Sequence, residues 1–206
     1  MSQCFHIHPL NPQLRLVRQA VQILREGGLM AYPTDSAYAL GCRLDDKDAL
    51  DRLRRLRGLD DKHLLTLLCR DLSDLSTYAK VDNRVYRILK AHTPGPYTFV
   101  LLASSEVPRR LHHPKRRTIG LRIPDHLICQ ALLAELGEPL LTTTLLLPGA
   151  EEPVADAEDL ESILHGQVDL IIDGGHTGVR PTSVIDLSEG VEVLREGAGD
   201  VSHFIA

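Results

Sequence analysis

A mixed α/β fold, one sheet with helices packed against it, is the architecture that this sequence predicts. Three observations lead there. Apolar strand-like runs alternate with amphipathic helical runs along most of the chain, without a long linker. The last three strand-like runs follow one another through short Gly-rich turns, so parallel and antiparallel neighbours must coexist in the sheet. The 206 residues, 43% apolar and 25% charged, suffice for one domain with a sizeable core, expected over 1–206.

The elements follow in order. Asn11-Pro12 marks a helix start, with Asn at the cap and Pro in the first turn. Leu14, Val17, Val21 and Leu24 share one face of that helix, and Gly27-Gly28 ends it. Leu29 to Tyr32 is a short apolar strand that runs into Pro33. A second helix is expected over Asp46 to Arg57, built on Ala49, Leu50, Leu53 and Leu56. Leu64 to Cys69 reads as a strand buried on both faces. Asn83 to His92 is another amphipathic helix, on Val85, Ile88 and Leu89. The rigid turn Thr93-Pro94-Gly95-Pro96 then leads to a strand over Tyr97 to Ala103.

Thr118 to Ile123 is the next strand, and Asp125 can cap a helix that runs to Leu136 and ends at Gly137. Leu140 to Leu147 is strand-like and stops at Pro148-Gly149. The acidic, exposed stretch Glu151 to Asp159 leads into a short helix near Asp159 to Leu164. Late strands are expected at Val168 to Ile172, Ser183 to Leu187 and Val191 to Arg195. No G-x-G-x-x-G follows the first strand, which disfavours a Rossmann reading.

The N-terminus has no basic and apolar leader pattern, and no apolar run approaches the roughly 18 residues of a membrane span. A cytoplasmic location is therefore expected. Cys4, Cys42, Cys69 and Cys129 are scattered and read as small buried hydrophobes in a reducing compartment. The ten histidines show no metal-ligand spacing, so no metal site is assigned. There is no G-x-S-x-G elbow and no P-loop.

Net charge is −5, but it is unevenly placed. Arg109, Arg110, Lys115, Arg116, Arg117 and Arg122 fall within Pro108 to Arg122 without one acid, leaving 17 basic against 28 acidic groups elsewhere. Such a segment fits an anionic ligand, and equally a solvated loop paired with acidic neighbours.

Four segments could carry chemistry. In Pro33 to Gly41 the hydroxyls of Thr34, Ser36 and Tyr38 would share one face of an extended segment, at a strand end where ligands tend to bind. The same residues also fit a turn in which Thr34 and Asp35 satisfy backbone groups locally. Pro94-Gly95-Pro96-Tyr97-Thr98 can admit a ligand close to its backbone, or simply stop a helix and start a strand. Arg122, near the end of an apolar strand, needs either an internal acid or an anionic ligand. Arg195 poses the same alternative, with neighbouring Glu196 tilting it toward a structural pair.

Read in order, these segments resemble the YrdC/YciO family, whose enzymatic members are threonylcarbamoyl-adenylate synthases. Gly28 through Gly41 is similar to that family's Pro-Thr-x-Thr-x-Tyr-Gly-Leu signature, with Ser36 for the second Thr and Ala39 for the Gly. Pro94 to Thr98, Gly120 to Asp125, Thr182 to Asp186 and Leu194 to Gly197 resemble four further motifs, so the likeness covers nearly the whole chain.

The resemblance implies a YrdC/RibB-like three-layer fold, a twisted mixed sheet of about seven strands flanked by helices, with a concave basic groove to which Pro108–Arg122 contributes. It implies condensation of ATP, L-threonine and bicarbonate into threonylcarbamoyl-AMP, which feeds the t6A modification of tRNA. ATP with magnesium would be a substrate, and no covalently bound cofactor is implied. Thr34, Ser36 and Thr182 would hold threonine, with Tyr38 supporting their loop. Thr98, Thr144, Arg57 and Arg195 would serve the nucleotide, and Arg57 and Arg122 the chemistry.

Two departures place the chain nearest the YciO branch. Leu59 stands where synthases carry a second cation of a Lys-x-Arg motif, and Leu146 where they carry an Asn. Losing both polar partners would weaken ATP binding roughly thirtyfold to thousandfold. The competing reading is a module that binds double-stranded RNA or tRNA through Arg109, Arg110, Lys115, Arg116 and Arg117. With aromatics at only 4%, such binding would rest on phosphates and shape rather than on base stacking.

Overall fold

Side-chain alternation along the strands decides which face of the sheet each helix covers, and which part is left open. The computed structural model describes residues 2–60, 63 and 65–205. Its strands are β1 (Gln3–His6), β2 (Met30–Tyr32), β3 (Ala39–Arg43), β4 (Thr66–Leu68) and β5 (Tyr97–Leu102). They continue as β6 (Thr118–Arg122), β7 (Leu140–Thr144), β8 (Leu170–Asp173), β9 (Ser183–Asp186) and β10 (Glu192–Arg195). The helices are α1 (Leu14–Arg25), α2 (Lys47–Arg57), α3 (Leu72–Tyr78), α4 (Asn83–His92), α5 (Leu127–Leu136) and α6 (Ala157–Leu164). The strands form one mixed sheet in the order β1-β8-β2-β3-β7-β4-β6-β5-β9-β10. Pairing is parallel at β1/β8, β2/β8, β4/β6 and β5/β9, and antiparallel elsewhere.

Successive strand residues point to opposite faces. Leu40, Leu67, Phe99, Leu121, Leu141 and Ile185 point to one face, into a core completed by α2, α3, α4 and α6. Their neighbours Ala39, Leu68 and Leu140 point to the other, into a second core with Met30, Tyr32, Leu170 and the pair α1 and α5. Helices on both faces give three layers. However, α1 and α5 pack over the β1, β8, β2 and β3 end, and the β6, β5, β9 end of that face carries no helix core.

The expected elements are present, with informative shifts. Ten strands are present among the described residues, where the resemblance implied about seven: the eight expected from the apolar runs, and β1 and β3, which were not foreseen. Short β1, with a half-exposed pattern, occupies an edge against β8. Strand β3 continues directly from the hydroxyl-rich loop and takes its order from pairing with β2 and β7. Helix α3 was also missed, although Asp71 caps it by accepting from the Asp74 N–H at 2.8 Å.

Helix α1 begins at Leu14, not at Asn11-Pro12, because His8 organises a preceding turn. Its Nδ1 accepts from the Leu10 and Asn11 N–H groups, and its own N–H donates to Gln13 Oε1. Leu14 is thus 60% exposed, and Ala20 joins Val17, Val21 and Leu24 on the buried face. Asp125 does not cap α5: His126 holds that position, and the Asp125 N–H donates to Asp35 Oδ2 at 2.9 Å. Leu64 lies outside the described residues. In the remainder of that run, Leu67 and Leu68 are buried on the two faces of β4, as expected. All four cysteines are free; Cys42, Cys69 and Cys129 are buried and Cys4 is half-buried. No helix among the described residues is long and apolar enough to cross a membrane.

Candidate functional site

The part of the sheet face that α1 and α5 leave uncovered forms the floor of a trough of about 350 Å³. The register explains its lining. Thr66 pairs with both Gly120 and Thr142, Val100 with Gly120, and Thr98 with Val184, so these residues lie together on one face. Apolar neighbours of opposite parity fill the core beneath. Gly120 lowers the floor: a Cβ there would come within 3.1 Å of Thr66 Oγ1 and 3.2 Å of Thr98 Cγ2. Two loop arms form the walls, one with Leu146, Glu151 and Pro153, the other with Val179 and Pro181. They are joined where the Thr177 N–H donates to the Ala155 carbonyl at 3.0 Å.

Three arginines face this space. Arg122, at the end of β6, is ion-paired with Asp35, and both side chains are under 10% exposed. Its Nη1 donates to Ser36 Oγ at 3.4 Å, while its buried Nε has no hydrogen-bond partner among the described residues. The internal acid is thus Asp35, from the hydroxyl-rich loop. Arg195 does not pair with Glu196; its Nε and Nη2 donate to the Thr182 carbonyl at 3.0 and 2.8 Å. Arg57, at the end of α2, has a buried Nε without a partner among the described residues. Burial lowers the pKa of both Arg57 and Arg195, with no carboxylate opposing it. Burial, then the charge of Arg57, holds His63 below the ordinary imidazole value. Thr98 and Thr182 hydrogen-bond through their hydroxyls at 2.8 Å.

Six residues singled out in the sequence therefore meet in one trough: Arg57, Thr98, Arg122, Thr144, Thr182 and Arg195. The hydroxyl-rich loop behaves differently from an extended segment. Thr34 Oγ1 donates to the Ala37 carbonyl at 2.6 Å and accepts from the Ser36 and Ala37 N–H groups, which makes a local turn. Ser36 is buried between Thr34 and Arg122, at hydrogen-bond distance from both. The turn sends Tyr38 into the core on the opposite face, so the three hydroxyls do not share one. The Tyr38 hydroxyl donates to the Gly175 carbonyl at 2.7 Å and accepts from the Gly174 N–H. Burial pushes its pKa up to about 12, so it stays a donor. Tyr38 thereby anchors the arm that carries Val179 and Pro181.

The two substituted leucines separate. Leu146 lines the trough, whereas Leu59 packs against the core and lines a separate cleft beside α2. The basic segment also divides. Arg122 belongs to the trough, and Arg110 donates to the Leu44 carbonyl at 3.1 Å. Arg109, Lys115, Arg116 and Arg117 line a second cleft with Lys80, at the opposite end of β6. The two ends of that five-residue strand are about 13 Å apart, so the expected single groove is two clefts. Arg116 is committed there to an ion pair with Asp186, whose carboxyl is 5% exposed. Among the described residues no group of His, Cys, Asp or Glu is arranged to hold a metal ion.

Sequence reasoning did not find Asp35 as the partner of Arg122, nor Thr66, Gly120 and Thr142 on the floor. The available signal was parity: small or hydroxyl residues recur at alternate positions where a half-buried strand would otherwise be apolar.

Comparison with known proteins bears out the fold and the family. A family model described as Telomere recombination (Sua5, YciO and YrdC) matches residues 22–197. The chain is 56% identical to the uncharacterized protein YciO of Escherichia coli K12, over the full length of both. The crystal structure of E. coli YciO superposes with a TM-score of 0.96, also over both full chains. A threonylcarbamoyl-AMP synthase of Halorhodospira halophila is 32% identical over 87% of this chain and 94% of that protein. P. abyssi Sua5, crystallised with L-threonine, matches at 28% identity and a TM-score of 0.87, over 95% of this chain and 58% of Sua5. A family model that spans most of the chain, together with relatives at 56% and 32% identity, shows that the chain belongs to the Sua5/YciO/YrdC family.

Proposed function

We propose that the trough holds L-threonine at its Ser36–Arg122 end and an adenine nucleotide toward Arg57 and Arg195. The reaction joins ATP, L-threonine and bicarbonate into threonylcarbamoyl-AMP, with release of pyrophosphate and water, in the cytoplasm and in support of tRNA t6A modification. One observation carries this reading: Arg57 and Arg195 face the same trough as Thr98, Thr144 and Thr182 with no acid partner among the described residues, and the Arg57 Nε is buried without a hydrogen-bond partner among them. A buried charge needs a counter-charge, and a phosphate supplies one. No protein nucleophile is required. Cations and hydroxyls that align the reactants and stabilise charge on the phosphorus oxygens are sufficient. The relatives named threonylcarbamoyl-AMP synthase, and the Sua5 chain bound to L-threonine, support the same chemistry.

Only Leu146 of the two leucine departures lines the trough. The expected deficit in ATP binding therefore shrinks to the loss of one neutral hydrogen bond, roughly two- to tenfold. Measuring threonylcarbamoyl-AMP and pyrophosphate from ATP, threonine and bicarbonate tests this. Leu146→Asn should raise turnover at subsaturating ATP by about that factor, while Leu59→Arg should leave it unchanged. Turnover by the wild-type chain no faster than by Arg57→Ala would overturn the synthase reading.

A second reading is favoured by the other cleft. Among the described residues five cations line it, no acid does, and its one aromatic ring is the His112 imidazole. These features fit the phosphates of double-stranded RNA or tRNA. Arg116 is needed by Asp186, so Arg109→Glu with Arg117→Glu is the cleaner variant. Affinity for duplex RNA should fall steeply with salt, with a log–log slope of about −0.7 to −0.9 per phosphate contacted. The double variant should flatten that slope by about two such units. A slope identical in wild type and variant would remove this reading.

A further inference from the structure

Among the described residues that line the trough, Glu151 is the only acid, and it shares that lining with Arg57, Arg122 and Arg195. It is exposed, and no hydrogen bond or ion pair ties it to another described residue. Within a site built for an anion, an uncommitted carboxylate works against phosphate affinity unless it meets something else on the ligand. Its surroundings indicate what. Leu146 and Pro153 flank it on the same arm, and Val179, Pro181 and Leu194 line the trough as well. This apolar wall suits the flat face of a base, and the sugar joined to that base would lie beside it. A carboxylate accepts two hydrogen bonds and donates none, which matches a vicinal diol.

We infer that Glu151 binds the ribose 2′- and 3′-hydroxyls of the nucleotide, and so selects ribonucleotides over deoxyribonucleotides. This rests on the reading that a nucleotide occupies the trough. A carboxylate that orders ribose is established physical chemistry in other nucleotide sites. Here it also accounts for a negative charge that the phosphate side alone would not tolerate. Glu151 touches the sugar and not the reacting atoms, so it sets specificity rather than rate.

The test is calorimetric titration of the full chain with AMP, 2′-deoxy-AMP and adenosine, for wild type and Glu151→Ala. Wild type should prefer AMP over 2′-deoxy-AMP by roughly tenfold or more, the worth of a charge-assisted hydrogen bond. In Glu151→Ala that preference should collapse to about twofold. The variant should bind 2′-deoxy-AMP slightly more tightly than wild type does, because a repulsive charge has gone. Its preference for AMP over adenosine should persist, which a general loss of structure would not allow. An unchanged ribose preference in Glu151→Ala overturns the inference, as does a wild type that binds both nucleotides equally. A changed magnesium dependence of ATP binding with unaltered sugar preference would assign Glu151 to the metal and overturn it too. Failure of wild type to bind any of the three is a different outcome: it sinks the nucleotide reading itself, and this inference with it.

Discussion

Asp35→Ala is expected to lower folding stability by about 3–5 kcal/mol, the cost of leaving one member of a buried ion pair uncompensated. The side chains of Arg122 and Asp35 are both under 10% exposed, so removing one leaves the other charge poorly hydrated. The alternatives are poor. Arg122 has only Ser36 Oγ at 3.4 Å on Nη1, and its Nε is already buried without a partner. The Asp125 N–H would lose its acceptor as well. Asp35→Asn keeps the shape and an acceptor but not the charge, so it should be destabilising too. Asp35→Ala combined with Arg122→Met should recover much of the loss, because the stranded charge is gone. Urea denaturation at constant m-value reads each change. A loss below about 1 kcal/mol for Asp35→Ala would show the pair to be solvated and dispensable.

The second large effect concerns Arg57 and Arg195, the trough arginines that have no acid partner among the described residues. Arg57→Ala and Arg195→Ala should each weaken AMP binding by roughly tenfold to hundredfold, the value of a charge-assisted hydrogen bond to phosphate. Lysine should rescue them unequally. Arg195 uses both Nε and Nη2 on the Thr182 carbonyl, a fork that a single ammonium cannot reproduce. Arg195→Lys should therefore resemble the alanine variant, while Arg57→Lys should retain most of the affinity as a point charge. Titration of AMP into the four variants checks both statements.

How far the sequence could be read depended on whether a feature was local. Helix α4 was legible to its boundaries, because Asp82 caps it and Val85 and Leu89 fall on one face. The five motif segments converge on the trough because strand parity and loop position carry them there. What failed was set by long-range contacts. Asp35 and Arg122 are 87 residues apart in sequence, and nothing near either one names the other. Tyr38 alternates with Ser36 and Thr34 on paper, yet the turn made by Thr34 Oγ1 reverses its direction. The basic run looked like one surface because its charges are contiguous in sequence, but β6 carries Arg122 away from the others. Leu59 and Leu146 looked equivalent as lost polar partners, and only their placement separates them.

In the proposed function one trough binds an amino acid and a nucleotide through Arg122, Arg57 and Arg195. Calorimetry of the wild-type chain with L-threonine, AMP and both together tests it most directly. Each should bind alone at one site per chain, and Arg195→Ala should weaken AMP binding roughly tenfold or more while leaving threonine binding unchanged. AMP binding that is absent, or that is equally strong in wild type, Arg57→Ala and Arg195→Ala, would contradict it.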